Sequence, residues 1–132
     1  MKLYEYTTKK GNTGYVGAIL TDNDNTKIYM DRVFCTNREA YPYLSGIEMA
    51  ASFIKHNDYN QHEPLILYGQ KIGVNDPITT MYVQKCLAYL RIIPNSNHLT
   101  EKDNEFLLLA KNKVESVIDP IELRMLKQNI KD

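Results

Sequence analysis

Cysteine and histidine are the residues whose chemistry would be easiest to recognise, and here they are widely spaced. The two cysteines are Cys35 and Cys86, and the three histidines are His56, His62 and His98. A structural zinc site needs four clustered ligands, so we expect no metal centre of this kind. Cys86 falls on the apolar side of a predicted helix, which favours a buried, unreactive thiol over a nucleophile.

Two other patterns could bind a ligand. The pair Gly11-x-x-Gly14 is too short for a nucleotide phosphate loop, and it precedes a strand, whereas such loops precede a helix. Tyrosine is more informative, since ten tyrosines stand against three phenylalanines and no tryptophan. Most aromatic rings in this chain therefore carry a hydroxyl that needs a hydrogen-bond partner or water.

Length and charge limit the function classes. A chain of 132 residues suits one compact domain, and sixteen Lys and Arg balance sixteen Asp and Glu. This balance argues against a strongly basic nucleic-acid surface or a polybasic membrane segment. The sequence has neither a signal peptide pattern nor a membrane-length apolar run, and we expect a cytoplasmic protein with reduced cysteines.

The first third of the chain predicts three strands, near residues 2–8, 14–21 and 27–35. The segments between them, Lys9–Gly14 and Asp22–Asn25, have the glycine and asparagine typical of turns. Turns this short cannot hold a helix, so the three strands must form an antiparallel meander.

Helices and short strands alternate in the rest of the chain. Helical spacing begins at Tyr43, directly after Pro42, and a compact apolar run near 64–69 predicts a fourth strand. Asp76-Pro77 resembles a capped helix start, and residues 91–93 predict a very short fifth strand.

The last part of the chain predicts two helices. Thr100 can cap a helix that ends near Val117, and Asp119-Pro120 repeats the pattern of a helix start. We therefore expect a domain over residues 1–118 and a separate C-terminal helix over 119–132. That helix is too short to be stable alone, so it packs on the same domain or on a second copy. A hinge at Asp119-Pro120 favours the same domain.

The turn and strand at residues 9–20, Lys-Lys-Gly-Asn-Thr-Gly-Tyr-Val-Gly-Ala-Ile-Leu, resemble the opening of the ribonuclease H family. Thr36-Asn37, the helix from Tyr43 to Ala51 and the segment from Asn104 to Ala110 are similar to later motifs of that family, in the same order. The resemblance implies an α/β fold: a ribonuclease H-like mixed five-stranded sheet, with a three-strand antiparallel meander plus parallel strands, helices on both faces and an extra C-terminal helix.

The departures from the family concern catalysis. The resemblance implies two magnesium ions held by four carboxylates, but the four corresponding positions are occupied by Tyr6, Tyr43, Gly69 and Leu107, with Gln70 in place of Gly69 if the register slips by one. A phenol and a leucine cannot replace anionic oxygen ligands for magnesium. We therefore predict no metal, no cofactor and no catalytic residue.

Two carboxylates could still rebuild a site. Glu5 neighbours Tyr6, but strand alternation points it to the opposite sheet face, and Glu48 lies about 140° around its helix from Tyr43, where we expect it to be exposed. An active metal-dependent nuclease that cleaves RNA–DNA hybrid is thus the alternative hypothesis.

The preferred hypothesis is a catalytically inactive binding module. Its partner would be a protein, a second copy of the chain or, with less support from the charge, nucleic acid. A small-molecule binding protein is a third hypothesis. Tyr6, Tyr43 and Gln70 are the predicted ligand-binding residues, because the resemblance places them around the cleft where the family holds its metals.

Overall fold

The computed structural model describes residues 1–36, 43–57, 63–69, 77, 81, 91–95 and 97–130, and for residues 119–130 it describes the backbone alone. Strands and helices alternate after an all-strand beginning. In chain order the elements are β1 (Lys2–Lys10), β2 (Thr13–Thr21), β3 (Ile28–Thr36), α1 (Tyr43–His56), β4 (Leu65–Tyr68), β5 (Ile92–Pro94) and α2 (Glu101–Ile130).

The predicted meander is confirmed. Strands β1 and β2 pair antiparallel through a tight turn in which Gly11 has a φ of 59°, and β2 pairs antiparallel with β3. The turn between β2 and β3 is closed by Asp22, whose Oδ1 accepts hydrogen bonds from the backbone N–H of Thr26 at 2.8 Å and of Lys27 at 3.3 Å. Asn25 follows with a φ of 58°, a conformation that asparagine tolerates better than most residues.

The remaining strands complete a mixed sheet. Strand β4 pairs parallel with β1, and β5 pairs parallel with β4, which gives the order β3-β2-β1-β4-β5. Both parallel strands were predicted close to their observed bounds. Because β1 is the central strand, its side chains contact the helices on both faces of the sheet.

Each face of the sheet packs against one described helix. Leu3 of β1 lies in a core with Leu44 and Ile47 of α1, whereas its neighbour Tyr4 packs with Ala110 of α2. This alternation confirms the expected helices on both faces, since successive strand residues point to opposite sides.

Helix α2 approaches β2 closely because Gly17 has no side chain. A Cβ atom added at Gly17 would lie 2.7 Å from the backbone oxygen of Ala110 and 2.8 Å from Cγ2 of Val114. Real Cβ atoms do not come this close to other heavy atoms. Gly17 and Ala110 are therefore the contact that sets the distance between helix and sheet.

A polar network holds the start of α2 on β1. Asp103, which is 2% exposed, accepts a 2.6 Å hydrogen bond from the Tyr4 hydroxyl, and Lys2 Nζ lies 3.9 Å from the same oxygen. Asp103 also forms a capping box with Thr100: its Oδ2 accepts from the Thr100 N–H at 3.0 Å, and its own N–H donates to Thr100 Oγ1 at 3.1 Å.

The environment of Asp103 favours the charged form. Burial alone would raise its pKa, but hydrogen bonds from Tyr4 and Thr100 and the nearby Lys2 outweigh burial and hold the pKa below its usual value. Burial and the bond to Asp103 both raise the pKa of Tyr4, so its hydroxyl remains a donor. The Tyr4 ring stacks between Tyr68, at a centroid distance of 4.6 Å, and Phe106, at 5.1 Å.

The prediction of two separate C-terminal helices is wrong for the backbone, because α2 continues from Glu101 through Pro120 to Ile130. A proline inside a helix removes one backbone hydrogen bond but need not end the helix. The apolar spacing passes through Pro120 unbroken, in steps of three or four residues, at Ala110, Val114, Ile118, Ile121 and Met125. This continuous period outweighs the local resemblance to a helix start.

Of the other two predicted helices, one lies within the described residues and the other lies mostly outside them. Helix α1 begins at Tyr43 as predicted. The helix predicted from Asp76-Pro77 lies outside the described residues, except that Pro77 and Met81 are helical. No helix in the described part of the chain is long and apolar enough to cross a membrane.

Replacing Tyr4 with phenylalanine tests the network. The Tyr4→Phe variant keeps the ring stack but removes a donor from the buried Asp103 carboxylate, which should lower the free energy of unfolding by about 1–3 kcal/mol. The matched control is Tyr68→Phe, because Tyr68 stacks on the same ring and no hydrogen bond of its hydroxyl is found among the described residues. Urea unfolding measures both, and equal losses would show that the Tyr4–Asp103 bond contributes nothing.

Candidate functional site

Residues 69 and 107, which the resemblance matches to the third and fourth metal-binding carboxylates of the ribonuclease H family, lie next to each other in the structure. Gly69 directly follows β4 with a φ of 91°, and Leu107 lies on α2. A Cβ atom added at Gly69 would lie 2.9 Å from Cδ2 of Leu107 and would overlap the backbone oxygen of Glu5. The fold thus brings the two positions together, but a leucine methyl and the β1 backbone fill the space that a side chain at residue 69 would need.

The two tyrosines predicted to bind a ligand lie in different clusters. Tyr6 is half-buried on the α2 face of the sheet, beside the cluster of Tyr4, Ile19 and Tyr68, whereas Tyr43 is 8% exposed in the core under α1. The structure therefore does not bring their rings into one cluster. Gln70, the third predicted residue, lies outside the described residues.

Glu5 is the most unusual polar group near this point. It is 1% exposed, and neither of its carboxyl oxygens has a hydrogen-bond partner among the described residues. Its side chain lies under the first turns of α1, where a Cβ atom added at Gly46 would overlap Oε2 of Glu5 and touch Cγ2 of Val16 at 3.4 Å. Burial raises the pKa of Glu5 well above its usual value and so favours the neutral form of this residue.

Sequence reasoning found the direction of Glu5 but not its burial. Alternation along β1 predicted that Glu5 points away from Tyr6, and the structure confirms this, with Glu5 beneath α1 and Tyr6 beneath α2. The sequence signal that could have predicted the burial of Glu5 is its position two residues after the apolar Leu3, on the same face of β1. Glu48 was expected to be exposed and is instead half-buried.

The described residues do not fit a two-magnesium centre. No group of three or more His, Cys, Asp or Glu side chains that could hold a metal ion occurs among them. The Glu5 carboxyl is buried beneath α1, where burial favours its neutral form, while Leu107 and Gly69 offer no ligand atom from their side chains. Magnesium requires several hard oxygen ligands, which this point of the fold does not supply.

A depression lies between β3 and α1, and none of the predicted site residues lines it. This cleft of about 270 Å³ is lined by Tyr29, Arg32, Phe53 and His56, among others. Lys27 Nζ lies 4.9 Å from the Tyr29 ring centroid, and Phe53 lies 6.2 Å from it, so the aromatic wall is already paired. Asp31 also lines the cleft, so the charges there are mixed and indicate no single ligand class.

The comparisons with known proteins support the fold. The structure is similar to the N-terminal RNase H domain of rv2228c from Mycobacterium tuberculosis, determined as a fusion with maltose binding protein, with a TM-score of 0.57 and 13% sequence identity over 91% of this chain and 96% of that chain. The sequence matches no protein-family model and no curated protein. At this identity the likeness shows the ribonuclease H-like fold alone.

The pH dependence of stability tests the burial of Glu5. The folded protein keeps a proton on Glu5 that the unfolded chain releases above the usual pKa of 4.5. The contribution of Glu5 to stability is therefore fully present below that pH and is lost as the pH rises, by about 1.4 kcal/mol per pH unit, until the folded pKa is passed. The Glu5→Gln variant should lose this slope and be more stable than the wild type near pH 8.

The matched control for Glu5→Gln is Glu105→Gln, since Glu105 is exposed on α2 beside Lys102. Urea unfolding at a series of pH values compares the three proteins. A wild-type slope that persists in Glu5→Gln would contradict the burial of an uncompensated acid.

Substitution at Gly69 tests the closure of the space beside Leu107. Gly69→Ala should lower the free energy of unfolding by about 1–2 kcal/mol because of its positive φ and by about 1–3 kcal/mol more because of overlap with the β1 backbone. Gly11→Ala is the matched control, since Gly11 also has a positive φ but no heavy atom within 4 Å of the added carbon. Equal effects in thermal unfolding would show that the space at Gly69 is open.

Proposed function

We propose that this chain is a catalytically inactive ribonuclease H-like domain that acts as a binding module. The observation that carries the proposal is the contact between Gly69 and Leu107, where the fold has filled a carboxylate position with a leucine methyl group. A chain with this packing keeps the framework of the fold and lacks the ligands for metal-dependent phosphodiester cleavage.

The charge of the chain bears on what it binds. Sixteen basic and sixteen acidic groups leave no net attraction for a phosphate backbone, which favours a protein partner or a second copy over nucleic acid. Tyr6 is half-buried and retains surface for contact, whereas Tyr43 is 8% exposed and offers little. Tyr6 is therefore the better supported contact residue, and the role of Gln70 stays a prediction. A cytoplasmic location is part of the same proposal.

The alternative function is an active nuclease whose carboxylates lie elsewhere. The buried Glu5 is the observation that favours it, because an acid without partners close to the metal positions of the family could serve as a ligand after rearrangement. Such a rearrangement would have to ionise Glu5 and part α1 from the sheet at Gly46. The same burial therefore opposes this function more than it supports it.

A cleavage assay separates the two functions. Purified protein incubated with labelled RNA–DNA hybrid should produce no more cleavage than a protein-free blank, with either magnesium or manganese, while an active ribonuclease H serves as the positive control. Calorimetry with each metal should show no binding heat at millimolar concentration. Metal-dependent cleavage that disappears in Glu5→Gln or Glu48→Gln would establish the nuclease instead.

Binding to nucleic acid has its own measurement. Fluorescence anisotropy of the labelled hybrid at about 50 and about 200 mM salt should show no salt-sensitive binding, because phosphate contacts make affinity fall steeply over this range. Tight, salt-dependent binding without cleavage would keep the binding module and change its partner to nucleic acid.

A further inference from the structure

Strand β3 forms one edge of the sheet, as the order β3-β2-β1-β4-β5 shows. Residues 30–36 pair with β2 in regular register, and Tyr29 before them is an extra residue in a bulge. No second strand among the described residues pairs with β3, and Arg32 and Cys35 along it are exposed. Alternate residues of such an edge direct their backbone N–H and C=O groups outward, where another extended chain can pair with them.

The cleft of about 270 Å³ opens directly beside this edge. Strand β3 contributes residues 29–32 to its wall, and the second half of α1 contributes Met49, Ser52, Phe53 and His56. Ser52 and His56 are exposed and Met49 is 37% exposed, so the space between strand and helix is open. Pockets that enclose a drug-sized ligand measure roughly 300–1,000 Å³, and this smaller cleft suits a single side chain.

An extended chain that pairs with β3 would place side chains beside this cleft. Such a chain runs about 4.8 Å from β3, and every second side chain points to the face of the sheet that α1 covers. The cleft lies on that face, since Met30 and Phe34 of β3 pack in the core under α1 and Arg32 between them points the same way. Backbone hydrogen bonds then supply affinity, and the cleft selects one side chain.

The charges around the cleft separate by sheet face. Asp31, which lines the cleft, directs its carboxylate to Lys113 of α2 on the opposite face. On the face of α1, the cleft has two exposed cationic groups beside it: Arg32, and Lys27, whose Nζ lies over the Tyr29 ring. A segment that carries an acidic residue close to an apolar one therefore complements the cleft and its rim.

A second copy of the chain complements this surface less well than a segment of another protein. Two β3 strands paired antiparallel about a two-fold axis keep their α1 faces on the same side of the sheet. On that face the regular part of the second β3 carries Met30, Arg32 and Phe34, of which Met30 and Phe34 already pack in their own core. Arg32 would bring a like charge to the cleft.

We propose that the edge of β3 and the cleft beside α1 bind an extended segment of a partner protein. The segment adds to β3 as a strand and inserts one apolar side chain into the cleft, while a neighbouring acidic side chain meets Arg32 and Lys27. This surface is separate from Tyr6, which lies on the α2 face. Peptide binding here is thus a contact beyond the proposed function, and it is independent of cleavage.

The first test uses a phage-displayed library of random peptides, selected on the full chain. Bound peptides should carry an apolar residue close to acidic ones, and a labelled synthetic copy should bind the chain in fluorescence anisotropy. Ser52→Trp, which fills the cleft from an exposed position on α1, should weaken this binding by about tenfold or more. Ser116→Trp, at an exposed position on α2, is the matched control and should leave the affinity unchanged.

Charge reversal tests the rim of the cleft. Arg32→Glu should weaken binding of the selected peptide by about tenfold or more, whereas Lys111→Glu, at an exposed position on α2, should not. Far-ultraviolet circular dichroism confirms that all four variants fold.

The second test concerns the backbone pairing. Two forms of the selected peptide are N-methylated at alternate residues, one form in each of the two possible sets. Because alternate amides of an added strand face the edge, one form should lose binding and the other should keep it.

Four outcomes would overturn the proposal. They are a selection that yields no binder, a peptide that binds Ser52→Trp as tightly as the wild type, equal binding of both N-methylated forms, and a dimer of the chain that Ser52→Trp dissociates in sedimentation. The last result would make a second copy the occupant. Metal-dependent cleavage of RNA–DNA hybrid would instead overturn the inactive module and leave peptide binding in place.

Discussion

The buried hydrogen bond between Tyr4 and Asp103 is the contact on which the arrangement of sheet and long helix depends. The Asp103 carboxylate accepts hydrogen bonds both from the Thr100 N–H, in the capping box of α2, and from the Tyr4 hydroxyl. One side chain therefore caps the helix and attaches it to the central strand. A buried carboxylate is costly unless donors surround it, and here Tyr4, Thr100 and Lys2 supply them. This requirement fixes both the position and the start of the helix, and the close approach of Ala110 to Gly17 then follows along its length.

Glu5, on the neighbouring strand position, has the opposite environment. Donors around Asp103 hold its pKa below the usual value, whereas burial without a donor among the described residues raises the pKa of Glu5. Glu5 lies on the face of β1 that packs against α1, whereas Asp103 belongs to α2 and contacts the opposite face of β1. Their environments differ because α2 begins with a capped first turn, while α1 presents the backbone of Gly46 to Glu5. The face under α1 therefore tolerates a polar group at a cost in stability, while the face under α2 depends on one.

The sequence predicted the fold better than the site. Short turns, alternation and helical period suffice to predict the meander and α1, because these patterns are local, whereas the parallel pairing of β4 and β5 was expected with the help of the family resemblance. The end of α2 was misjudged because Asp119-Pro120 satisfies the local signs of a helix start, while the apolar period that runs through it is visible only over about four turns. The separation of Tyr6 from Tyr43 and the burial of Glu5 depend on packing between elements distant in sequence. Alternation on β1 predicted the directions of Tyr6 and Glu5, but the surroundings of all three side chains required the structure.

The contact between Gly69 and Leu107 also limits which sequences this chain can reach by mutation. A carboxylate at residue 69 needs both a smaller residue at 107 and a wider gap beside the β1 backbone at Glu5, so no single substitution supplies it. Each intermediate would carry a packing defect before any ligand atom was gained. The interaction between these positions is therefore strongly epistatic: the residue tolerated at one depends on the residue present at the other. A carboxylate at residue 69 is therefore reached only through a variant of lower stability.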